Sequence, residues 1–184
     1  MHLIEHLHSR EFDTSLHAAW TDSQDECVTF PLWNLSGQMV GYQQYRPNAS
    51  KEKKNHPREG RYFTHVKGGR VGVWGLESWH LTPGHLFITE GVFDACRLTA
   101  RGYSAVALLS HRPNPSTVRW LVTLCRFRTA VCDDDPGGAK MATLGHRSIT
   151  TPGGDLGDMS GDWVTNLLGT VDSFPSRPYN KGIG

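Results

Sequence analysis

Short apolar runs alternate with amphipathic segments in the second half of the chain, and this alternation is the strongest constraint on its fold. The apolar runs end at Thr89, Leu109, Cys132 and Thr150, and each has the length of one strand. The segments between them have the spacing of amphipathic helices. Strands that alternate with helices predict a parallel sheet with helices packed on its faces. The sequence therefore predicts an α/β domain over residues 84–170.

The helices in this region can be predicted with definite limits. One is expected over 115–127 and another over 138–144, because each segment has apolar residues at helical spacing. The first helix would place Val118, Leu121, Val122 and Cys125 on one face.

The first 83 residues are organised differently and predict a small basic α+β subdomain. Leu3, Leu7, Leu16 and Trp20 lie near helical spacing, which predicts one or two short helices. Strands are predicted over 27–33, 38–45 and 61–66, and an Asn-Leu-Ser-Gly turn joins the first two. Pro31 indicates that its strand lies at a sheet edge or has a bulge. The segment 171–184 is rich in Pro, Gly and Ser and predicts an irregular tail.

The composition is that of a globular protein, with 38% hydrophobic residues and a formal net charge of +1. No run approaches the ~20 apolar residues of a membrane span, and the first residues lack a signal-peptide pattern. A cytoplasmic protein without a membrane partner is expected. The four cysteines form no Cys-x-x-Cys pair, which favours buried reduced thiols over a zinc site or disulfides.

Carboxylates follow the predicted strands at the points where the strands end. Glu90 follows the first strand, with Asp94 one helical turn later, and three consecutive aspartates at 133–135 follow the third. Asp155 and Asp158 come after the fourth strand. Because the carboxyl ends of parallel strands meet at one edge of a sheet, we expect these side chains to converge there.

Clustered carboxylates raise each other's pKa unless a cation lies between them. Mg²⁺, with Mn²⁺ as a possible substitute, is the cation that a few carboxylates hold together with waters and a phosphate. In the alternative interpretation, Glu90 is a surface carboxylate and one of the aspartates caps the helix that follows. One cap needs only one of the three aspartates, so metal binding is the favoured interpretation.

The segments 88–94 and 131–138 resemble the Toprim signature, which consists of a Glu-Gly element and an Asp-x-Asp element. Bacterial-type primases, topoisomerases, recombination mediators and certain nucleases share that domain. The resemblance implies that Glu90 and Asp94 are the catalytic candidates and that Glu90 is also associated with metal. It implies that Asp133 and Asp135 bind Mg²⁺. The later acidic element of primases corresponds to Asp155 and Asp158, which are further candidate metal ligands.

The resemblance extends upstream and favours the primases among these families. The segment 30–46 is similar to a primase hairpin that ends in an arginine, and the segments 62–65 and 72–77 follow in the same order as in primases. The resemblance covers residues 28–165. It implies a primase-like nucleotidyltransferase that uses nucleoside triphosphates and single-stranded DNA. Such a protein would be encoded by a phage or other mobile element and would act in the cytoplasm of a bacterial or phage-infected cell.

Two departures from primases leave alternatives open. The chain has no Cys/His quartet for a zinc-binding module, so a separate zinc-binding partner or replicative helicase is expected to assist it. Asp134 stands where primases commonly have glycine. The alternatives are a Toprim-type Mg²⁺-dependent nuclease and a non-catalytic DNA-binding module that assists a helicase or polymerase.

A basic segment between residues 46 and 70 predicts contacts to nucleic acid, because phosphate contacts supply most of the affinity and aromatic faces stack on bases. Aromatic residues lie just before this segment and within it, at Tyr42, Tyr45, Tyr62 and Phe63. The alternative is a solvated surface, which the Lys51–Lys54 run alone would favour. The candidate nucleic-acid-binding residues, including one from the loop after the second strand of the α/β domain, are Arg46, Lys53, Lys54, Arg61, Arg70 and Arg112.

Overall fold

The computed structural model describes residues 3–51, 59–68 and 70–172, which form two four-stranded sheets and the helices around them. The first sheet has strands β1 (Trp20–Asp22), β2 (Cys27–Trp33), β3 (Met39–Tyr45) and β4 (Tyr62–Val66). The second has β5 (His85–Thr89), β6 (Ala105–Ala107), β7 (Phe127–Asp133) and β8 (Arg147–Thr151). The α-helices are α1 (Leu3–Ser9), α2 (Val92–Thr99), α3 (Pro115–Thr123), α4 (Pro136–Ala142) and α5 (Gly161–Asp172). Short 3₁₀ turns cover Leu76–His80 and Leu156–Asp158.

The first sheet is antiparallel, with the strand order β1-β2-β3-β4. Its predicted hairpin is confirmed: the side-chain oxygen of Asn34 accepts from the backbone N–H groups of Ser36 and Gln38, and Gly37 has a φ of 72°. Pro31 lies in a central strand rather than an edge strand. However, β1 pairs with β2 only as far as Thr29, so none of the described strands pairs with Pro31 on that side, and the register shifts soon after it.

The second sheet is parallel, with the order β6-β5-β7-β8 and helices packed against it, which confirms the predicted α/β fold. The helix predicted over 115–127 is shorter than expected. Asn114 caps its start by accepting from the N–H of Thr117, but Leu124 has an extended backbone and Phe127 begins β7. Val122 and Cys125 are exposed, so the predicted helix face is wrong for these two residues. The other three cysteines are buried and free.

Two further sequence predictions need correction at the ends of the chain. The first twenty residues contain one short helix, α1, within the predicted number, but Trp20 belongs to the edge strand β1 and is half-exposed. Near the C-terminus, the helix α5 was not predicted; Val164 and Leu168 bury its apolar side in the core. The predicted irregular tail begins inside this helix at 171–172, and its remainder, 173–184, lies outside the described residues.

Of the two hydrophobic clusters among the described residues, the larger extends from the first sheet to the second. Trp74, almost fully buried, forms a bridge with Ala107 of the parallel sheet and packs against Phe30 of the antiparallel sheet. Phe93 of α2 contacts Phe30 and Tyr45. The strands of the first sheet precede residue 83 in the chain, and those of the second sheet follow it. A domain boundary at residue 83 stays a prediction. No helix in the described ranges is long and apolar enough to cross a membrane.

Candidate active site at the carboxylate edge

The structure brings four of the predicted carboxylates together where β5, β7 and β8 end. Asp133 is the last residue of β7, which lies between β5 and β8. Burial, which is the largest cause, and the negative charges of Asp155, Asp135 and Glu90 together raise the pKa of Asp133 to about 6. We call Glu90, Asp133, Asp135 and Asp155 the carboxylate edge.

Glu90 follows β5 and is partly exposed at this edge. Its Oε1 lies 3.6 Å from Nδ1 of His111, which comes from the loop after β6. The backbone N–H of Leu109 donates to the carbonyl of Glu90 at 2.9 Å, so the two loops are joined. A histidine at this distance can orient the carboxylate of Glu90 and, when protonated, offset its negative charge. His111 is not among the candidate residues chosen from the sequence.

Asp94 has a different environment from the other carboxylates because it is buried. Its two oxygens accept from the backbone N–H groups of Gly91 at 3.0 Å and Gly157 at 2.8 Å. Burial raises its pKa well above the ordinary value, and the hydrogen bond and charge of Asp155 raise it further. A protonated Asp94 that accepts from Gly157 is suited to holding the loop that contains Gly157. The role of Asp94 as a catalytic residue stays a prediction.

Asp155 is the charged member of this pair. Burial alone would raise its pKa, but the hydrogen bond from Asp94, the Gly157 N–H and the positive charges of Arg10 and Lys51 lower it below the ordinary value. The proton therefore resides on Asp94, and Asp155 presents a carboxylate to the edge.

Asp135 is held by its own neighbours in sequence. Its Oδ1 accepts from the N–H of Gly138 at 2.6 Å and caps α4. Glycine is required at 138, because a Cβ there would lie 2.0 Å from the carbonyl oxygen of Asp133. The cap uses one carboxylate oxygen of Asp135, so capping and metal binding are compatible.

Asp158 lies beside the carboxylate edge but has another partner. It is exposed and forms an ion pair with Arg10, and it is not among the charges that act most strongly on Asp133. Its role as a metal ligand stays a prediction with less geometric support than that of Asp155.

The donor set of the carboxylate edge suits Mg²⁺ without enclosing it. Within the described ranges, no three His, Cys, Asp or Glu side chains form a ready-made metal cage. Mg²⁺ is typically held by one or two carboxylates, with waters and substrate phosphates as its other ligands, so an open edge is sufficient. The pKa of Asp133 remains raised, so the carboxylates outweigh the positive charge near it.

Lys51 supplies positive charge near this edge from the first half of the chain. Its charge lowers the pKa of both Asp133 and Asp155. Sequence reasoning favoured a solvated surface for the lysine run that begins here, and Lys51 was not chosen as a site residue. No local signal could have identified it, because its proximity to the two aspartates comes from the packing of the two sheets.

The predicted nucleic-acid-binding residues have unequal surroundings. Arg61 donates to the carbonyl of Ala49 at 2.9 Å and is partly exposed, whereas Arg46 lines a surface pocket with three acidic residues. The acids Asp25, Glu26 and Glu59 place negative charge in the pocket that Arg46 lines, which disfavours a phosphate there, so the geometry favours Arg61 as a phosphate contact.

The remaining basic candidates divide into two pairs. Asn114 donates to the carbonyl of Arg70 at 3.3 Å, which joins the backbone at Arg70 to the loop that contains Arg112. Both arginines are exposed. Lys53 and Lys54 lie outside the described residues.

No protein-family model and no curated protein matches this chain. Solved structures of primases do match it. The catalytic core of the E. coli primase is 18% identical with a TM-score of 0.54, and the match covers 82% of this chain and 54% of that one. The fold is that of DnaG primase catalytic cores.

Two further primase structures show the same likeness. A structure of the Aquifex aeolicus primase, with zinc-binding and RNA polymerase domains, is 16% identical with a TM-score of 0.59, and the match covers 91% of this chain and 47% of that one. A DnaG catalytic domain bound to single-stranded DNA is 16% identical with a TM-score of 0.55, and the match covers 90% of this chain and 60% of that one. The chain thus spans roughly half to three-fifths of these DnaG structures.

Proposed function

We propose that this chain is a primase-like nucleotidyltransferase that acts on single-stranded DNA and synthesises primers from nucleoside triphosphates. The observation that supports this most is the convergence of carboxylates around Asp133 at the ends of the parallel strands. This convergence occurs in the fold of primase catalytic cores, one of which was solved with single-stranded DNA.

In this proposal Asp133 and Asp155 hold Mg²⁺, with Asp135 as a further ligand. The bound metal would supply the counter-charge for the triphosphate and for the leaving pyrophosphate. Asp94 keeps its proton and donates to Asp155, which leaves Asp155 charged for the metal. Glu90, oriented by His111, is the group that accepts the proton of the attacking hydroxyl.

The basic residues are assigned to the phosphates of the substrate and the template. Lys51 is the best candidate for the triphosphate, because its charge acts on Asp133 and Asp155. Arg61 and the pair of Arg70 and Arg112 are assigned to the template backbone. Phosphate contacts of this kind orient a strand without reading its bases.

The experiment is a primer-synthesis assay with single-stranded DNA, labelled nucleotides and Mg²⁺ or Mn²⁺, beside a cleavage assay on labelled DNA. Synthesis of labelled primers by the wild-type protein, and its loss in Asp133→Asn, would support the proposal. The matched control is Asp162→Asn, which removes an exposed aspartate from the first turn of α5, outside the carboxylate edge.

Other outcomes of the same assays select the alternatives. Metal-dependent cleavage without synthesis would replace the primase proposal by the nuclease. Binding of DNA without either reaction would favour a non-catalytic module that assists a helicase or polymerase.

A further inference from the structure

The loop that presents Asp155 is fixed through the backbone of Gly157. The N–H of Gly157 donates to Asp94 and Asp155, each at 2.8 Å. Its carbonyl accepts from two nitrogens of Arg97, Nε at 3.2 Å and Nη2 at 3.1 Å. Both polar backbone groups of Gly157 are therefore held, and the carboxylate two residues earlier is held with them.

Arg97 in turn depends on the N-terminal segment of the chain. Its guanidinium is buried, and Nη1 lies 2.7 Å from Oε1 of Glu11, which follows α1. The other oxygen of Glu11 is 2.5 Å from Nη1 of Arg101. A buried guanidinium without a partner is costly, so Glu11 stabilises the orientation in which Arg97 reaches Gly157.

Glu11 is charged and closely constrained. Burial alone would raise its pKa, but its hydrogen bonds and ion pairs with Arg101 and Arg97 lower the pKa below the ordinary value. Its backbone has a φ of 56°, which is uncommon for a residue other than glycine. The ion pairs with Arg97 of α2 and with Arg101, which follows α2, therefore hold a specific conformation after the end of α1.

We propose that Glu11 is a positioning residue for the metal site. Glu11 fixes Arg97, Arg97 fixes Gly157, and Gly157 fixes the loop that presents Asp155. The segment after α1 thereby sets the affinity of the carboxylate edge for a divalent cation, although it contributes no metal ligand. This inference rests on the proposed function, in which Asp155 binds the metal.

The test measures Mn²⁺ binding to the full chain in the absence of nucleotide, by electron paramagnetic resonance of the free ion. Glu11→Gln should weaken Mn²⁺ binding by about 10- to 100-fold, the effect typical of groups that orient metal ligands. Arg97→Lys should act in the same direction, because lysine lacks the planar fork that donates two bonds to one carbonyl. Circular dichroism and thermal melting establish that each variant is folded.

Glu26→Gln is the matched control. Glu26 also has a positive φ, 45°, and also accepts a side-chain hydrogen bond, from Asn48 at 2.9 Å, but it does not contact the Asp155 loop. Its replacement should leave Mn²⁺ affinity unchanged. Equal losses in Glu11→Gln and Glu26→Gln would overturn the proposal.

A double-mutant cycle separates positioning from a general structural role. If Glu11 acts through Asp155, Glu11→Gln should weaken binding no further once Asp155→Asn is present. Additive losses, or wild-type affinity in Glu11→Gln, would overturn the proposal. If Glu11→Gln does not fold, the same cycle with Arg97→Lys decides.

The same titrations distinguish this inference from the proposed function. If Asp133→Asn abolishes Mn²⁺ binding while Glu11→Gln and Arg97→Lys retain it, the inference fails and the proposed metal site stands. If the wild-type protein binds no Mn²⁺, both the inference and the proposed metal site fail. They also fail if Asp133→Asn and Asp155→Asn bind Mn²⁺ as tightly as the wild type.

Discussion

The two loops that contribute to the carboxylate edge are held in different ways. The loop after β7 is fixed by its own sequence, because Asp135 caps α4 and Gly138 packs against the carbonyl of Asp133. The loop after β8 is fixed by distant residues, since Asp94 and Arg97 bind Gly157 from α2. One side of the site is therefore a local motif, and the other depends on the packing of α1 and α2.

The largest expected effect is on the reaction and tests the local side of the site. Asp133→Asn should reduce primer synthesis by about 10³-fold or more, because Asp133 lies at the centre of the carboxylates proposed to hold the metal. A quantitative synthesis assay with Asp162→Asn as the control measures this. Full activity in Asp133→Asn would mean that the metal site is elsewhere.

The second prediction compares glycines from the two loops. Gly138→Ala should lower the free energy of unfolding by about 3 kcal/mol, because its Cβ would meet fixed backbone. Gly157→Ala should lower it by about 1–2 kcal/mol, because the closest atom is the movable end of Arg10, although the fixed Cβ of Phe93 lies 3.0 Å away.

The Mn²⁺ affinity of Gly157→Ala should nevertheless fall, because the new Cβ also lies 2.9 Å from Oδ1 of Asp155. Urea denaturation and Mn²⁺ titration of the two variants check both quantities. Equal losses of stability with unchanged metal affinity would show that the two loops do not differ as described.

A third prediction concerns Glu90, which is joined to the loop after β6. Glu90→Gln should reduce turnover by about 10²-fold, the scale of lost general acid–base catalysis, while DNA affinity changes little. Single-turnover kinetics and fluorescence anisotropy measure the two effects. A variant that unfolds, or one that reacts normally, would contradict the assignment.

The fourth prediction uses the raised pKa of Asp133. In metal-free protein, the folded state binds a proton at Asp133 between the ordinary aspartate pKa and about pH 6, whereas the unfolded chain has released it. The free energy of unfolding should therefore decrease as pH rises through this window, by about 1 kcal/mol after allowance for solvent screening.

Urea denaturation in the presence of a chelator from pH 4 to pH 7 measures this dependence. Asp133→Asn should be less sensitive to pH and more stable at pH 7. An identical pH dependence in the variant and wild type would show that the folded state does not raise the pKa of Asp133.

The smallest expected effect extends the comparison to the first sheet, where two arginines that were equivalent in sequence have different surroundings. Arg61→Ala should make the salt dependence of single-stranded DNA binding shallower by about 0.7 in log K against log salt, the contribution of one phosphate. Arg46→Ala should change the slope less, because carboxylates line the same pocket as Arg46 and repel phosphate there. Anisotropy titrations across several salt concentrations measure both, and a larger change in Arg46→Ala would reverse the ranking.

The sequence by itself determined the features that depend on neighbours along the chain. The strands that end near Thr89 and Asp133, the hairpin at Asn34 and the parallel class of the second sheet follow from local apolar patterns and turn residues. The convergence of Glu90 and Asp133 also followed, because parallel strands bring their carboxyl ends to one edge.

Only the tertiary structure decided which carboxylate is protonated and what holds each loop. Asp94 and Asp155 look equivalent in sequence, but burial and their shared hydrogen bond place the proton on Asp94. The proximity of Lys51 to Asp133, and the ion pair of Glu11 with Arg97, join residues that are far apart along the chain. Burial and long-range pairing set these charges and positions, and neither has a signature in a local stretch of sequence.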